Sequence, residues 1–552
     1  MKQSALALLL ILIVISCSKP VETSNAPKAK SYAELETLFK EWSEFQRPPF
    51  KDGTPDYSMA AMKKQQEELS KWQQRLDNFD TTGWAINQQV DWYIVKAEMN
   101  GLDFDHRVMR PWERDPAFYK TLYMERSDVP AHEGPTHAAI IDVWKYAFPL
   151  TSESKDKLVN QLRVIVHLNE QAKVNLTGNA KDLWIAGIRD IKTQSKDLES
   201  ILSMPGVSEQ QDVVTVVKEA IVSTNDLATW LEKESASKTG PSGIGKDNYT
   251  WYQQNVHLVP LTWEDEVLLL KRELARAWTG LKLEEHRNRN LPELKPADTP
   301  EAFAALTERA AKSLLSFLDK DSIVTVKNYF EPALRAHLGK FVPAEKRNFF
   351  IIGLHHDPRP LYSHFYHWFE LARMDNEPHF SIIRREPLLY NIFDSRNEGT
   401  ATAVEEMFMQ SGLYNDDPRV KEIVYIMIAQ RAARGLGSLY AHANDLTMEE
   451  AGKIHADYTP RGWMKTEKDL LIFEQHLYMR QPGYGSSYIT GKYLLEGAMA
   501  EFARQKESKQ QPFHVKDFFD QLNAIGCIPT SLGHWEMTGD KSSIEFIGKA
   551  HQ

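Results

Sequence analysis

The chain has 552 residues, 42% hydrophobic and 26% charged, enough for a large packed core and for two or three sub-regions. A formal charge of −10 provides no basic surface for phosphate backbones, which argues against nucleic acid as a partner. There are two cysteines, Cys17 and Cys527; if the first carries lipid, no intramolecular disulfide can form and stability must come from packing.

Lys2, the apolar run from Ala5 to Ile15 and the small Ser16 describe a secretory signal peptide over residues 1–16. The run is short for a bilayer-spanning helix. The stretch Val14-Ile15-Ser16-Cys17 resembles a bacterial lipobox, which implies acylation of Cys17. Residues 17–31 are polar and lack periodicity, as a lipid-anchored flexible tether would be. Ser18 is not an inner-membrane retention aspartate, so the expected address is the outer membrane of a Gram-negative envelope, with membrane contact through the lipid alone.

From there on, apolar residues recur three and four apart, predicting helices over Tyr32–Phe45, Met59–Phe79, Lys155–Val174, Glu209–Leu231, Trp263–Trp278 and Pro300–Leu318. One short strand is expected around Ser322–Val326. Gly and Pro fall mostly between the periodic runs, and residues 235–248 read as a loop. These features predict an all-α chain with an N-terminal helical region, 32–240, and a C-terminal helical region, 245–540, that carries the chemistry.

Five of the 18 histidines lie close together: His355, His356, His364, His367 and His379. Downstream, Glu398 and Glu405 are seven apart, two helical turns, so both carboxylates point to one side. Imidazoles on one helix and carboxylates on the next are how a helical protein builds a zinc or iron site. The blander readings are a histidine packed in the core near Trp368 and Phe369, and a solvated glutamate face. No H-E-x-x-H motif occurs.

Several blocks in residues 245–535 resemble, in order, the bacterial family catalogued as domain of unknown function 885, secreted and lipid-anchored helical proteins thought to be zinc peptidases. "KDNYTWYQQNVHLVPLTWEDEVLLLKRELAR" resembles its Tyr-rich opening segment, and "NEGTATAVEE" its E-G-W-A-x-Y-x-E block. "SLYAHANDLTMEEA" places His442 on a family histidine, "RQPGYGSSYITGK" keeps the family's Pro, Gly, Tyr and Gly at Pro482, Gly483, Tyr488 and Gly491, and "FHVKDFFDQLNAIGCIP" resembles the closing helix. The hallmark H-E-x-x-P-G-H-H is altered to "HHDPRPLYSHFYHWFELARM", and Thr400 replaces the family Trp.

The resemblance implies a large zinc-peptidase-like fold with a central cleft. A rebuilt site would hold zinc on His356, His364 and Glu398, with His367 in reserve and Glu405 orienting a ligand imidazole. Asp357 would be the general base, unless it caps the helix that contains His364. His442 and Tyr488 would donate to an oxyanion, and Arg480 would clamp a substrate carboxylate. The function implied is hydrolysis of short peptides in the cell envelope. Two alternatives stand beside it: an inactive protein that binds a peptide or partner on the same fold, and a helical glycan-binding lipoprotein that uses some of its 14 tryptophans.

Overall fold

The computed structural model describes residues 30–130, 137–390, 394–464 and 468–550. The signal peptide, Cys17 and nearly all of the tether lie outside them. The protein is all-α: helices succeed one another along the described chain, broken only by two two-stranded ribbons, at 50–55 and at 122–123 with 141–142. Ser322–Val326 is not a strand; it is the turn after helix Pro300–Lys320, where Thr325 hydrogen-bonds to Asp520. Among the described residues no helix is long and apolar enough to cross a membrane.

The predicted helices form where the periodicity places them, and local chemistry sets their ends. Ser31 with Glu34 and Thr262 with Asp265 close capping boxes, satisfying N–H groups that the first turn leaves without partners. Pro300 occupies a first helical position, where its missing N–H costs nothing. Helices Ser152–Asn175, Lys181–Ile201 and Gln211–Ser235 pack as a bundle with their own apolar cores. The loop at 236–245 then leads to the second half.

The largest core crosses that loop. Leu35, Trp42, Ile94 and Phe104 from the first three helices bury against Leu270, Leu314 and Phe519 from the second half. Burial on this scale, at ~25 cal/mol per Å² of apolar surface, binds the first three helices to the region that carries the histidines. Trp42, Trp112, Trp184, Trp263 and Trp535 are likewise buried rather than presented on a surface.

One helix pair positions the candidate site. Asp394–Gln410 lies against Tyr484–Ser508 with Gly399 and Gly491 at the crossing. A Cβ on Gly399 would stand 2.4 Å from the Cα of Gly491, and one on Gly491 would stand 2.0 Å from the carbonyl oxygen of Ser395. Only glycine allows backbones to approach so closely.

Candidate metal centre

His364 and His367 sit on either side of a break. Asp357 accepts the backbone N–H of Arg359 (2.9 Å) and starts the short helix Arg359–His364. That helix ends at Phe365, and a new one, Tyr366–Asn376, begins at once. Three residues apart along this junction, the two imidazoles meet, with ring centroids 4.8 Å apart and planes at 87°.

Glu398 comes from the facing helix. Its Oε2 is 3.1 Å from His367 Nε2 and 3.6 Å from His364 Nε2. Its Oε1 accepts hydrogen bonds from the hydroxyls of Tyr484 (2.5 Å) and Tyr488 (3.0 Å), which are one turn apart on the helix locked in by Gly491. The carboxylate is therefore divided, with one oxygen held by phenols and the other facing two ring nitrogens. One donor atom from each of His364, His367 and Glu398 lies within 4.8 Å of the other two. Ligands about 2.1 Å from a tetrahedral ion stand roughly 3.4 Å apart, so the two nitrogen–oxygen separations fit a shared zinc-type cation.

A second layer orients these groups. Glu405, two turns beyond Glu398, places Oε1 2.9 Å from His364 Nδ1 and 2.6 Å from Arg431. Arg431 donates from Nη2 to the same Nδ1 at 3.1 Å, so a carboxylate and a guanidinium together hold the ring from its far side while Nε2 faces Glu398. Arg434 stacks its guanidinium 3.7 Å from the Tyr488 ring centre and pairs with Glu474 at 2.7 Å.

The charges are set by this geometry. Burial alone would raise Glu398, yet the adjoining imidazoles hold it well below the usual carboxylate range. Burial alone would lower His367, but Glu398 carries it up to about 9. Burial drives the Tyr488 phenol far above its ordinary value, so its hydroxyl stays a donor. His364, His367 and Glu398 are 8%, 0% and 2% exposed, so the centre is closed to bulk water in this conformation. Val129 shares an apolar cluster with Leu477, Tyr478, Tyr484 and Tyr488, and Arg126 fastens its segment to Asp375 on the His367 helix at 2.9 Å.

Several expected residues serve elsewhere. His356 is not in the cluster: its Nδ1–H donates to Ile352 O (2.8 Å) and its ring stacks on Trp463, because it faces the other side of its helix. His367 takes the place expected for it. Asp357 is bound by the guanidinium of nearby Arg359, 2.9 Å away, and accepts the Arg359 backbone N–H at the start of helix Arg359–His364. His442 donates Nε2–H to the Tyr478 carbonyl (2.8 Å), and burial lowers its pKa to about 4. Arg480 is spent on Asp115 at 2.6 Å and is no open clamp.

His364, Glu398 and Tyr488 do converge, with Glu405 behind His364. Tyr484, Arg431 and Arg434 join them without having been expected from the sequence. The spacing of Tyr484 and Tyr488, one helical turn, was the available signal for the first.

No family model matches the sequence, and no curated protein matches it. Among solved structures, a chain from Shewanella oneidensis taken to be a lipoprotein of unknown function superposes with a TM-score of 0.66 at 14% identity, covering 92% of this chain and 100% of that one. A chain taken to be a lipoprotein from Colwellia psychrerythraea does so with a TM-score of 0.61 at 13% identity, covering 94% and 100%. At such identities the likeness shows a shared fold over nearly the full length.

Proposed function

We propose that this is a lipid-anchored protein of the bacterial cell envelope that holds a zinc-type ion on His364, His367 and Glu398 and hydrolyses short peptides. The observation that carries the reading is the convergence of two imidazole nitrogens on one oxygen of a buried carboxylate whose other oxygen is already bonded. The signal sequence and Cys17 support the address, as does the likeness to two chains taken to be lipoproteins.

When bound, such an ion supplies Lewis acidity and lowers the pKa of a coordinated water. The chain's own groups do the rest. Tyr484 and Tyr488 hold Glu398 in place, and Glu405 and Arg431 hold the His364 ring from its Nδ1 side. Arg431 and Arg434 add positive potential beside Tyr488, whose hydroxyl donates to Glu398.

A second reading has its own observation. Asp357 is tied to Arg359 and Glu405 is held by Arg431, so neither position provides a free carboxylate to act as base. On that reading the centre binds a peptide or a partner without cutting it.

Metal analysis of the purified mature chain, with His364→Ala and Glu398→Ala beside it, tests the centre. One zinc per chain that both variants lose supports it, and a metal-free folded protein sinks it. Cleavage of a mixed di- and tripeptide set then separates hydrolysis from binding. Membrane fractionation of Cys17→Ala tests the anchor: release into the soluble fraction is expected.

A further inference from the structure

A second feature lies beside the apolar cluster that contains Tyr484 and Tyr488. A cavity of about 750 Å³ separates the first helices from the region around Tyr390. Its wall includes Val129, which belongs to the apolar cluster of Tyr484 and Tyr488, and Asp375, from the helix that carries His367. The cavity thus borders the cluster that contains the tyrosines holding Glu398.

Much of this wall is aromatic, with Tyr57, Trp112, Phe118, Trp144 and Tyr390 all contributing. Three acids line it as well. Asp375 is paired with Arg126, and Asp142 with Lys145 at 2.7 Å. The third, Asp105, enters no ion pair among the described residues, and its partner is the hydroxyl of Tyr390. Arg47, the remaining cation of the wall, is solvent-exposed.

Asp105 is placed there by the backbone. Helix Ile86–Phe104 runs into a π-turn, Asp105–Met109, the kind of widened turn that recurs at functional positions. Tyr390 is seated by the same helix: a Cβ on Gly101 would lie 2.3 Å from its ring, so the ring rests flat on the helix backbone. His137, 2% exposed, lines the cavity too. Its Nδ1 accepts the Ala139 N–H, so its proton is on Nε2, which has no acceptor among the described residues.

We infer that this cavity is an amine-recognition pocket, in which Asp105 pairs with a ligand ammonium flanked by aromatic rings and His137 donates to a neighbouring carbonyl oxygen. A carboxylate among aromatic faces suits an ammonium, since Coulomb attraction and the ring quadrupoles act together away from bulk water. Burial holds the Asp105 carboxyl up to about 7, as expected of an acid that lacks its counter-charge. The inference deepens the peptide reading and rests on it for the identity of the ligand: a short peptide bound through its amino terminus or through a lysine side chain.

The test is calorimetric titration of the mature chain, stripped of metal with a chelator, with L-phenylalaninamide, N-acetyl-L-phenylalaninamide and N-acetyl-L-lysinamide. At least tenfold preference for a cationic probe over the neutral acetylated phenylalanine amide is expected, and the tighter cationic probe identifies the source of the ammonium. Asp105→Asn should abolish the preference, and Tyr390→Phe should reduce it should the Asn variant not fold. Equal binding of charged and neutral probes, no binding at millimolar concentration, or a preference that survives Asp105→Asn in a folded protein overturns the inference. Because the metal has been removed, failure of the zinc reading leaves this outcome untouched.

Discussion

Glu405 Oε1 stands 2.9 Å from His364 Nδ1 while the other nitrogen of the same ring faces Glu398. A carboxylate behind a ligand imidazole sets its tautomer and raises its basicity, and loss of such a partner costs roughly 10–100-fold in metal affinity. Glu405→Gln should therefore weaken zinc binding by about that factor. Competition with a chromophoric chelator measures it, and an unchanged affinity counts against the ligand assignment to His364.

The two histidines whose roles the structure exchanges provide a sharper contrast. His367→Ala should remove a ligand and empty the centre, whereas His356→Ala should keep its zinc and lose only the ring stack on Trp463. Metal content by mass spectrometry, with a melting curve for each variant, decides between them. Zinc lost from the His356 variant and kept by the His367 variant reverses the assignment.

At the crossing of the helices that carry Glu398 and Tyr488, Gly399→Ala and Gly491→Ala should each force the backbones apart. Overpacking of this kind costs about 1–3 kcal/mol, more than the gain in helix propensity from alanine, about 1 kcal/mol. Urea denaturation checks the stability. Zinc affinity should fall in parallel, since the shift separates Glu398 from its two phenols.

Glu98 provides a test by pH. Burial pushes its carboxyl up to about 8, against the lowering effect of the Tyr390 and Leu389 N–H groups. The folded chain thus keeps a proton that the unfolded chain releases above about pH 4.5. Stability is present in full below that pH and is lost as pH rises through 8. Glu98→Gln keeps an acceptor for these N–H groups and removes the titration, so its advantage in melting temperature over the wild type should widen from pH 5 to pH 8. At roughly 1.4 kcal/mol per pH unit the gain is on the order of a few kcal/mol. A constant difference across that range would show that Glu98 is not the group responsible.

Most of the helical architecture was legible in the chain alone. Tyr32–Phe45 and the start of Trp263–Arg287 are signalled by apolar spacing and by capping residues, both local properties. The candidate centre was legible in part. Glu398 and Glu405 share a side of one helix by simple periodicity, so their cooperation could be read from spacing. The choice between His356 and His367 could not, because it depends on which helix meets Glu398 across the fold: His356 ends helix Phe349–His356 and stacks on Trp463, whereas His367 lies on Tyr366–Asn376.

A helical, export-signalled chain with histidines upstream of a paired-glutamate helix could be read from the residues alone, because helix periodicity, caps and leader patterns are set within a few positions of one another. It took the folded arrangement to reveal that Asp357 serves Arg359, that Tyr484 joins Tyr488 on Glu398, and that Asp105 faces a cavity. Those outcomes depend on how closely two helices can approach and on which way a chain turns at a break. Both are fixed by packing between segments far apart in the chain, and no local pattern encodes them.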